Sequence, residues 1–462
     1  MSDIRDGDIH LDYGNAMAER VGKEHGIAQE ELDELGRTVS LYHTELLEER
    51  KRGVVGFYDL PYRDETVSSV KKVADDVAGR FDNLVVVGIG GAALGTIALH
   101  AALCNPYHNL LDRDGRGQRP RLFVSDDIDP SRVFHLISML DLKTTAFNIV
   151  SKSGTTVETI SQFLAVVKRL KDVMGDTYRD RIIVTTRPDD GWLREIAERE
   201  QFVTFEVPEN VGGRFSALSP VGLFPAAVAG IDVEALVHGA ARMDERCKTE
   251  RLSENPAYMG AAIHYLSDTK KGKNICVMMS YSYLLRKVAA WFRQLWAESL
   301  GKKTLLSGEI RNTGQTPVEA VGVTDQHSQL QLYMEGPRDK IITFLAVRDF
   351  VEQVAIPWSM YDTQKFTEAR YQTLSGLMEA ERFGTQLALT GAGVPNMTVE
   401  LPHVDPYAVG QLLYMFEVQT AMAGKLYRVN AFDQPGVDEL KRVTRSLDSL
   451  KGGDQRKSKW YL

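Results

Sequence analysis

The amino-acid sequence predicts an α/β protein with two doubly wound parallel-sheet domains and helical extensions at both ends. Three observations support this fold class. Short apolar segments recur along the chain, helical patterns separate them, and several of them end in glycine or small polar residues. Alternation of buried strands and helices is typical of a parallel sheet that is covered by helices on both faces. The length of 462 residues favours two or three domains.

The N-terminal half is predicted to run from a helical extension into a five-stranded domain. Residues 1–60 form the extension, in which Leu32, Leu35 and Val39 lie on one helical stripe. Residues 61–240 form the first domain. Its strands are predicted at 83–88, 121–125, 147–151, 181–185 and 203–207, and its helices at 92–103, 157–174 and 192–200.

The same pattern is predicted to repeat in a second domain, residues 241–430, after a break between residues 233 and 255. Strands are expected at 274–280, 304–307 and 341–347, and helices at 283–300 and 408–426. Residues 431–462 form a C-terminal helical segment with a helix at 437–450. Ligands of such sheets bind beyond the carboxyl ends of the strands, where Gly88, Ser151 and Ser280 are placed.

The composition is that of a soluble globular protein and excludes several classes. The net charge of -8 does not suggest a surface for nucleic acid. Three cysteines without CxxC spacing argue against a disulfide framework and a zinc site, and no other metal motif is present. The acidic N-terminus is not a signal peptide, and no apolar stretch approaches the length of a membrane span. A cytoplasmic location is expected.

The segment SKSGTT, residues 151–156, is a candidate anion site between a predicted strand and a predicted helix. Its small hydroxyl side chains and its glycine let O–H and N–H groups converge on one anion, and the following helix adds its positive N-terminal end. Thr155 and Glu158 also have the spacing of a capping box, which would satisfy the same N–H groups without a ligand. The segment therefore predicts either a phosphate site or a capped turn.

A second candidate anion site is the segment GIGGAALG, residues 88–95. It loosely fits the dinucleotide-binding fingerprint through Gly88, Gly90 and Ala93. The acid that contacts the ribose is expected about twenty residues further on, whereas Asp126 and Asp127 come much later. Tight packing between strand and helix explains the glycines equally well. Binding of a phosphate that is not part of a nucleotide is a further possibility for this segment.

Two further segments supply an arginine and a carboxylate. Arg214 in GGRFS follows two glycines that allow close backbone approach, and its charge does not depend on pH. Gln294 and Glu298 in QLWAES are i and i+4 on one face of a predicted helix, where Glu298 suits a general base. The alternative is an exposed Glu298 that pairs with Lys302, four residues on.

A histidine and a lysine complete the candidate set. His327 lies among polar residues in TDQHSQ, where an imidazole suits proton transfer near pH 7, although a surface turn explains it as well. Lys441 follows the turn that contains Pro435 and Gly436, and it borders the apolar stripe of the next helix. A lysine at such an edge points to water or into a site.

Taken in order, these segments resemble one family. The segments VGIGG, SKSGTTVE, GGRFSALSPVG, QLWAESLGK, DQHSQ and FDQPGV are similar to those of the glucose-6-phosphate isomerase (phosphoglucose isomerase) family, especially its bacterial form, from about residue 81 to 441. The resemblance implies two SIS-type sugar-phosphate-binding domains and a homodimer. It also implies reversible isomerisation of glucose 6-phosphate and fructose 6-phosphate, in glycolysis and gluconeogenesis, without a cofactor.

The resemblance also implies a role for each candidate residue. Glu298 would move a proton between C1 and C2 through a cis-enediolate, whose charge Arg214 would stabilise. His327 and Lys441 would help to open the sugar ring, with His327 contributed by the partner subunit. The residues implied in substrate binding are Gly91, Ala92, Ser151, Lys152, Ser153, Thr155, Thr156, Gln294 and Gln434.

The chain departs from the family pattern at Ala92, because the family commonly has serine after GIGG. We expect phosphate binding to be weaker by about 0.5–1.5 kcal/mol, the contribution of one hydrogen bond, but not lost.

Three other functions are alternatives. One is a dual isomerase that also accepts mannose 6-phosphate, which the residues do not distinguish. Another is a non-catalytic SIS-domain sensor of sugar phosphates, which would have no need for Glu298, His327 and Lys441 together. The third is a nucleotide-dependent oxidoreductase, and the misplaced ribose acid counts against this function.

Overall fold

The computed structural model describes residues 5–358 and 371–448 and contains two five-stranded sheets with helices around them. The strands are β1 (His10–Asp12), β2 (Asn83–Val87), β3 (Arg121–Ser125), β4 (Thr145–Val150), β5 (Ile182–Thr186), β6 (Val203–Glu206), β7 (Ile275–Ser280), β8 (Thr316–Val321), β9 (Lys340–Val347) and β10 (Asn396–Leu401). The helices are α1 (Ala18–Val21), α2 (Gln29–Lys51), α3 (Asp64–Arg80), α4 (Leu94–Leu103), α5 (Pro130–Met139), α6 (Val157–Met174), α7 (Trp192–Glu200), α8 (Pro220–Val228), α9 (Val233–Cys247), α10 (Pro256–Lys271), α11 (Arg286–Leu300), α12 (Leu330–Glu335), α13 (Leu374–Gly391), α14 (Pro406–Tyr427) and α15 (Pro435–Asp448).

The first sheet is fully parallel, with strand order β3-β2-β4-β5-β6. Alternate residues of β2 enter different hydrophobic cores: Leu84 and Val86 belong to one, Val85 and Val87 to the other. Both faces of the sheet are therefore covered, as a buried parallel sheet requires. The strand order reverses between β2 and β4, which is the kind of position where doubly wound sheets bind ligands.

The second sheet has the order β1-β10-β9-β7-β8, and its strands are parallel except for β1. Strand β1 comes from the N-terminal extension and pairs antiparallel with β10, with Leu11 opposite Val399. The extension, predicted to be helical, therefore also adds one edge strand to the C-terminal sheet. The order of the parallel strands reverses between β7 and β9, so this sheet also has a switch point.

The two sheets share one core. Leu84 and Val86 of the first sheet belong to the same hydrophobic cluster as Cys276 and Met278 of the second. Helix α14, which is almost completely buried, lies in this core and packs against α9, α10 and α11. In the described part of the chain, no helix is both long and apolar enough to cross a membrane.

The predicted α/β class with parallel sheets is confirmed, whereas one predicted strand is absent. Residue 304 forms only an isolated bridge to Ile310, and no strand is present at 304–307. Strands β8 and β10 were not predicted. The interval proposed as a break between domains contains α9, which packs closely on α14.

Candidate active site

The loops that follow β2 and β4 lie side by side at the switch point of the first sheet. The glycine turn after β2 includes Gly90, whose φ of 58° favours glycine, and leads into α4. The SKSGTT loop follows β4 and leads into α6. A side chain on Gly88 would come within 3.2 Å of the carbonyl oxygen of Val150, so the two loops meet where both strands end.

The SKSGTT loop forms a cluster of hydroxyl groups. The Ser151 Oγ donates to the Thr156 Oγ1 at 3.1 Å, and the Ser153 Oγ lies 3.3 Å from the same atom. The Thr155 N–H donates to the Ser153 Oγ at 3.3 Å. Thr156 is the N-cap of α6, and it makes no side-chain capping bond. Thr155 is therefore not at the cap position that a capping box with Glu158 requires, and the hydroxyl groups converge on one another at the N-terminus of α6.

Lys152 extends away from this hydroxyl cluster. Its Nζ donates to the carbonyl oxygen of Glu209 at 2.7 Å. Burial and the neighbouring guanidinium of Arg187 lower the pKa of Lys152. Lys152 thus belongs to the SKSGTT loop, but its ammonium group is hydrogen-bonded to a main-chain carbonyl and not to the hydroxyl cluster.

The glycine turn also contacts the segments that carry Arg214 and Gln294. A side chain on Gly91 would overlap the backbone of Gly213 and Arg214, and one on Gly90 would come within 3.1 Å of the Gln294 Nε2. The Ala92 N–H donates to the Ile89 carbonyl at 3.2 Å. Glycine is therefore required at 90 and 91, where the turn approaches the Arg214 and Gln294 segments closely. Ala92 in the same turn has no side-chain donor.

Arg214 is buried and held by a dense set of hydrogen bonds. It lies in a short 3-10 turn, Gly213–Phe215, and is 3% exposed. Its guanidinium donates to the Ser299 Oγ at 2.7 Å, to the Gln434 Oε1 at 3.1 Å, and to the carbonyl oxygens of Ala431 and Asp433. Burial lowers its pKa, and the Glu298 carboxylate opposes that shift. These hydrogen bonds fix the position of the guanidinium charge in a buried site.

Glu298 lies between Arg214 and Gln294. Its Oε1 is 3.6 Å from the Arg214 Nη1, and its Oε2 accepts a hydrogen bond from the Gln294 Nε2 at 2.9 Å. The i, i+4 relation on α11 therefore places the two side chains together, as the sequence predicts. The Glu298 side chain is 23% exposed, so solvent and a small substrate can reach it.

Lys302 does not form the ion pair with Glu298 that the sequence offered as an alternative. Its Nζ donates instead to the carbonyl oxygens of Glu298, Ser299 and Asp433, at 2.7 to 3.0 Å. Burial, aided by the Arg214 charge, lowers the pKa of Lys302 to about 8. Sequence reasoning missed these main-chain contacts because an i, i+4 pair of opposite charges is usually an exposed ion pair.

Of the remaining candidates, His327 and Lys441 have no described hydrogen bond to Arg214, Glu298 or Gln294, whereas Gln434 has one. His327 is exposed in a 3-10 turn, Thr324–His327, after β8. Its side chain makes none of the contacts that connect Arg214, Glu298 and Gln294. Lys441 belongs to α15, and its side chain lies outside the described residues. Gln434, by contrast, contacts Arg214 directly.

The arrangement suits proton transfer on an anionic substrate. A carboxylate that solvent can reach lies beside a fixed positive charge, which can stabilise negative charge that develops in a transition state. A hydroxyl-rich loop at a helix N-terminus lies at the same switch point of the sheet and is a suitable place for a phosphate group.

The family model and the similar proteins all carry the name of one isomerase. The family model described as phosphoglucose isomerase matches residues 65–460. A glucose-6-phosphate isomerase from Carboxydothermus hydrogenoformans is 43% identical, over 97% of this chain and 96% of its own. One from Rubrobacter xylanophilus is 45% identical, over 95% of this chain and 97% of its own.

Two solved structures agree with the fold. The crystal structure of a hypothetical protein from Thermus thermophilus has a TM-score of 0.84 and 36% identity, over 96% of this chain and all of its own. A glucose-6-phosphate isomerase from Chlamydia trachomatis has a TM-score of 0.72 and 23% identity, over 84% of this chain and 73% of its own, which supports the fold alone. On the family match and the two bacterial relatives, the chain belongs to the phosphoglucose isomerase family.

Proposed function

We propose that this protein interconverts glucose 6-phosphate and fructose 6-phosphate, by ring opening and proton transfer through a cis-enediolate. Membership of the phosphoglucose isomerase family supports this reaction. The observation that carries the mechanism is the position of the Glu298 carboxylate, between the Gln294 amide and the Arg214 guanidinium.

In this mechanism Glu298 is the base that carries the proton between C1 and C2. Gln294 donates to one carboxylate oxygen, which orients the other oxygen and keeps the side chain in one rotamer. Arg214 stabilises the negative charge of the enediolate, because its position is set in advance by Ser299, Gln434 and two carbonyl groups.

The phosphate would bind at the SKSGTT loop. Ser151, Ser153, Thr155 and Thr156 can turn their hydroxyl groups from one another to an anion, and α6 contributes its N-terminal dipole. Lys152 adds positive charge nearby, and Gly91 and Ala92 approach from the glycine turn. Because the Ala92 N–H already bonds to Ile89, we assign most of the phosphate contacts to the hydroxyl loop.

Ring opening would use His327 and Lys441, with His327 supplied by the partner in a homodimer. His327 is exposed in its 3-10 turn, which supports a role across a subunit interface. We also propose a cytoplasmic location and a place in glycolysis and gluconeogenesis. The sensor and the oxidoreductase are less well supported, because neither explains why Glu298, Gln294 and Arg214 are joined.

The first test is an assay of the purified protein with fructose 6-phosphate, without added metal or cofactor. Coupling to glucose-6-phosphate dehydrogenase reports the product. Product formation with saturation by substrate is expected. Binding of fructose 6-phosphate by calorimetry without turnover would instead support a sensor, and conversion of mannose 6-phosphate at a similar rate would support a dual isomerase.

The role of Glu298 is tested by Glu298→Gln. We expect kcat to fall by at least about 10²–10⁴-fold, the usual contribution of a positioned acid or base. Binding of substrate should change little, because a glutamine side chain has nearly the shape of glutamate and can keep the hydrogen bond from Gln294. The matched control is Glu65→Gln, at an exposed position on α3. Near-normal turnover in Glu298→Gln would show that another group is the base.

A further inference from the structure

A group of soft metal ligands lies at the C-terminal end of α4. His100 is on the last turn of the helix, Cys104 is its C-cap, and His108 begins the next 3-10 turn. One ligand atom from each residue lies within 4.8 Å of the others. The spacing of four residues between neighbours places His100 and Cys104 on one helix face.

The hydrogen bonds around the two histidines favour a bound metal. The Nε2 of His100 is buried and has no hydrogen-bond partner, although a buried polar atom normally has one. The Nε2 of His108 lies 3.0 Å from the carbonyl oxygen of Pro120. A carbonyl accepts only an N–H, so Nε2 carries the proton and Nδ1 keeps its lone pair. Histidines that bind metals commonly donate their other N–H to such a carbonyl.

The cluster is buried, which disfavours charge on each of its groups. Burial lowers the pKa of His100 to about 4, with a contribution from His108, and it also lowers the pKa of His108. Burial raises the pKa of the Cys104 thiol to about 12. A metal ion would displace that proton to solvent and bind the thiolate.

We propose that His100, Cys104 and His108 bind a zinc ion, which ties the end of α4 to the segment that leads into β3. Two imidazole nitrogens and a thiolate are ligands that zinc prefers, and water would complete a tetrahedral site. Bond lengths of about 2.0–2.3 Å require ligand atoms about 3.3–3.8 Å apart. The ligand atoms, which lie within 4.8 Å of one another, would have to move closer on binding the ion.

The proposed site is separate from the catalytic groups. It lies at the opposite end of α4 from the glycine turn, and the helix of 10 residues places about 15 Å between the two. We therefore expect zinc to stabilise the fold of residues 104–120 and to change turnover little. The sequence argued against zinc because CxxC is absent, but the spacing HxxxCxxxH is the signal that points to this site.

Cobalt(II) tests the proposal because its bond to a thiolate gives a charge-transfer absorption in the near ultraviolet. Metal-free protein titrated with cobalt should show this absorption at one equivalent, and zinc should remove it by displacement. The Cys104→Ala variant should lose it, although Cys247 and Cys276 remain in that variant. The control variant His135→Ala, exposed on α5, should keep it.

Zinc affinity and thermal stability provide the second measurement. Loss of a ligand should weaken binding at least as much as loss of a supporting hydrogen bond does, which is about 10–100-fold. The denaturation temperature of the wild type should rise with zinc, and that of His100→Ala and Cys104→Ala should not. Absence of the cobalt–thiolate absorption in the wild type, or its persistence in Cys104→Ala, would overturn the proposal.

Discussion

Alanine at position 92 allows a specific prediction about a single side chain. The methyl group lies in the glycine turn next to α4, where a serine would supply a hydroxyl donor. We expect Ala92→Ser to lower the KM for fructose 6-phosphate by about 2–10-fold, with little change in kcat, since one hydrogen bond contributes about 0.5–1.5 kcal/mol. Steady-state kinetics measure this. Ala28→Ser, at the start of α2, is the control, and an unchanged or raised KM in Ala92→Ser contradicts the prediction.

The buried amine of Lys302 leads to a prediction about how the free energy of unfolding depends on pH. Its pKa in the folded protein is about 8, against an ordinary value of 10.5. Between these values the unfolded chain binds a proton that the folded chain lacks, so the stability contributed by Lys302 increases with pH through this interval. It is fully present above about pH 10.5 and is lost as the pH falls through about 8.

The measurement compares the wild type with Lys302→Met by urea denaturation at pH 7.5 and pH 9.5. The difference in free energy of unfolding between the two proteins should increase in favour of the wild type, with a slope of up to about 1.4 kcal/mol per pH unit. Other titrating groups are common to both proteins and cancel. A difference that is the same at both pH values would show that the pKa of Lys302 is not lowered.

Single residues differ in how well the sequence predicts their contacts. The contact between Gln294 and Glu298 follows from helix geometry alone, so the sequence predicts it correctly. The acceptors of Lys302 and Arg214 include the loop at 431–434, which is distant in sequence. Spacing cannot reveal such contacts, because the packing of α14 and its following loop against α11 creates them.

The ends of secondary structure elements were predicted best where the pattern is strong. Helices α6 and α7 have the predicted limits, since each shows a clear apolar stripe. Strand β8 was missed because it is an edge strand that contains Pro317 and is only partly buried. Residue 304 was predicted as the start of a strand because it begins an apolar run, but it has no neighbouring strand with which to pair.

The crossing of α9 and α14 depends on two glycines, which gives a prediction about stability. A side chain on Gly410 would overlap the carbonyl of Leu236, and one on Gly239 would overlap that of Tyr407. We expect Gly410→Ala to destabilise the protein by about 1–3 kcal/mol through overpacking. Chemical denaturation measures the effect.

The control for this prediction is Gly384→Ala on α13. A side chain at Gly384 meets no atom within 4 Å, and the position is exposed. Alanine there should stabilise the helix by about 0.5–1 kcal/mol. Equal effects of the two substitutions would show that the contact between α9 and α14 does not require glycine.

At the scale of the whole molecule, the shared core brings together Arg214 and Glu298, the two charged groups of the candidate active site. Arg214 follows the strands of the first sheet, whereas Glu298 lies on α11, which follows β7 of the second. Helix α11 packs on α4, so the end of one sheet approaches the other. One hydrophobic core spans both sheets and does not mark a boundary between them. The domain limits at residues 60, 240 and 430 therefore remain predictions.

The proposed homodimer predicts complementation between two inactive variants. Subunits with Glu298→Gln and subunits with His327→Ala are unfolded, mixed equally and refolded. If His327 acts across the interface, one site of each mixed dimer is intact, and about a quarter of the wild-type activity should return. If His327 acts in its own subunit, every site is damaged and no activity returns. A mixture of Glu298→Gln with Arg214→Lys is the control, because both residues belong to one subunit's cluster and should not complement.

The sequence by itself determined the fold class, the motifs and the family. Apolar periodicity, glycine turns and side-chain spacing on a helix are local properties, so they can be read without the fold. Only the tertiary structure decided that β1 joins the distant sheet, that Lys302 bonds to main-chain oxygens, and that His100, Cys104 and His108 converge. These features depend on which segments pack together, and packing is set by the whole chain through non-local contacts.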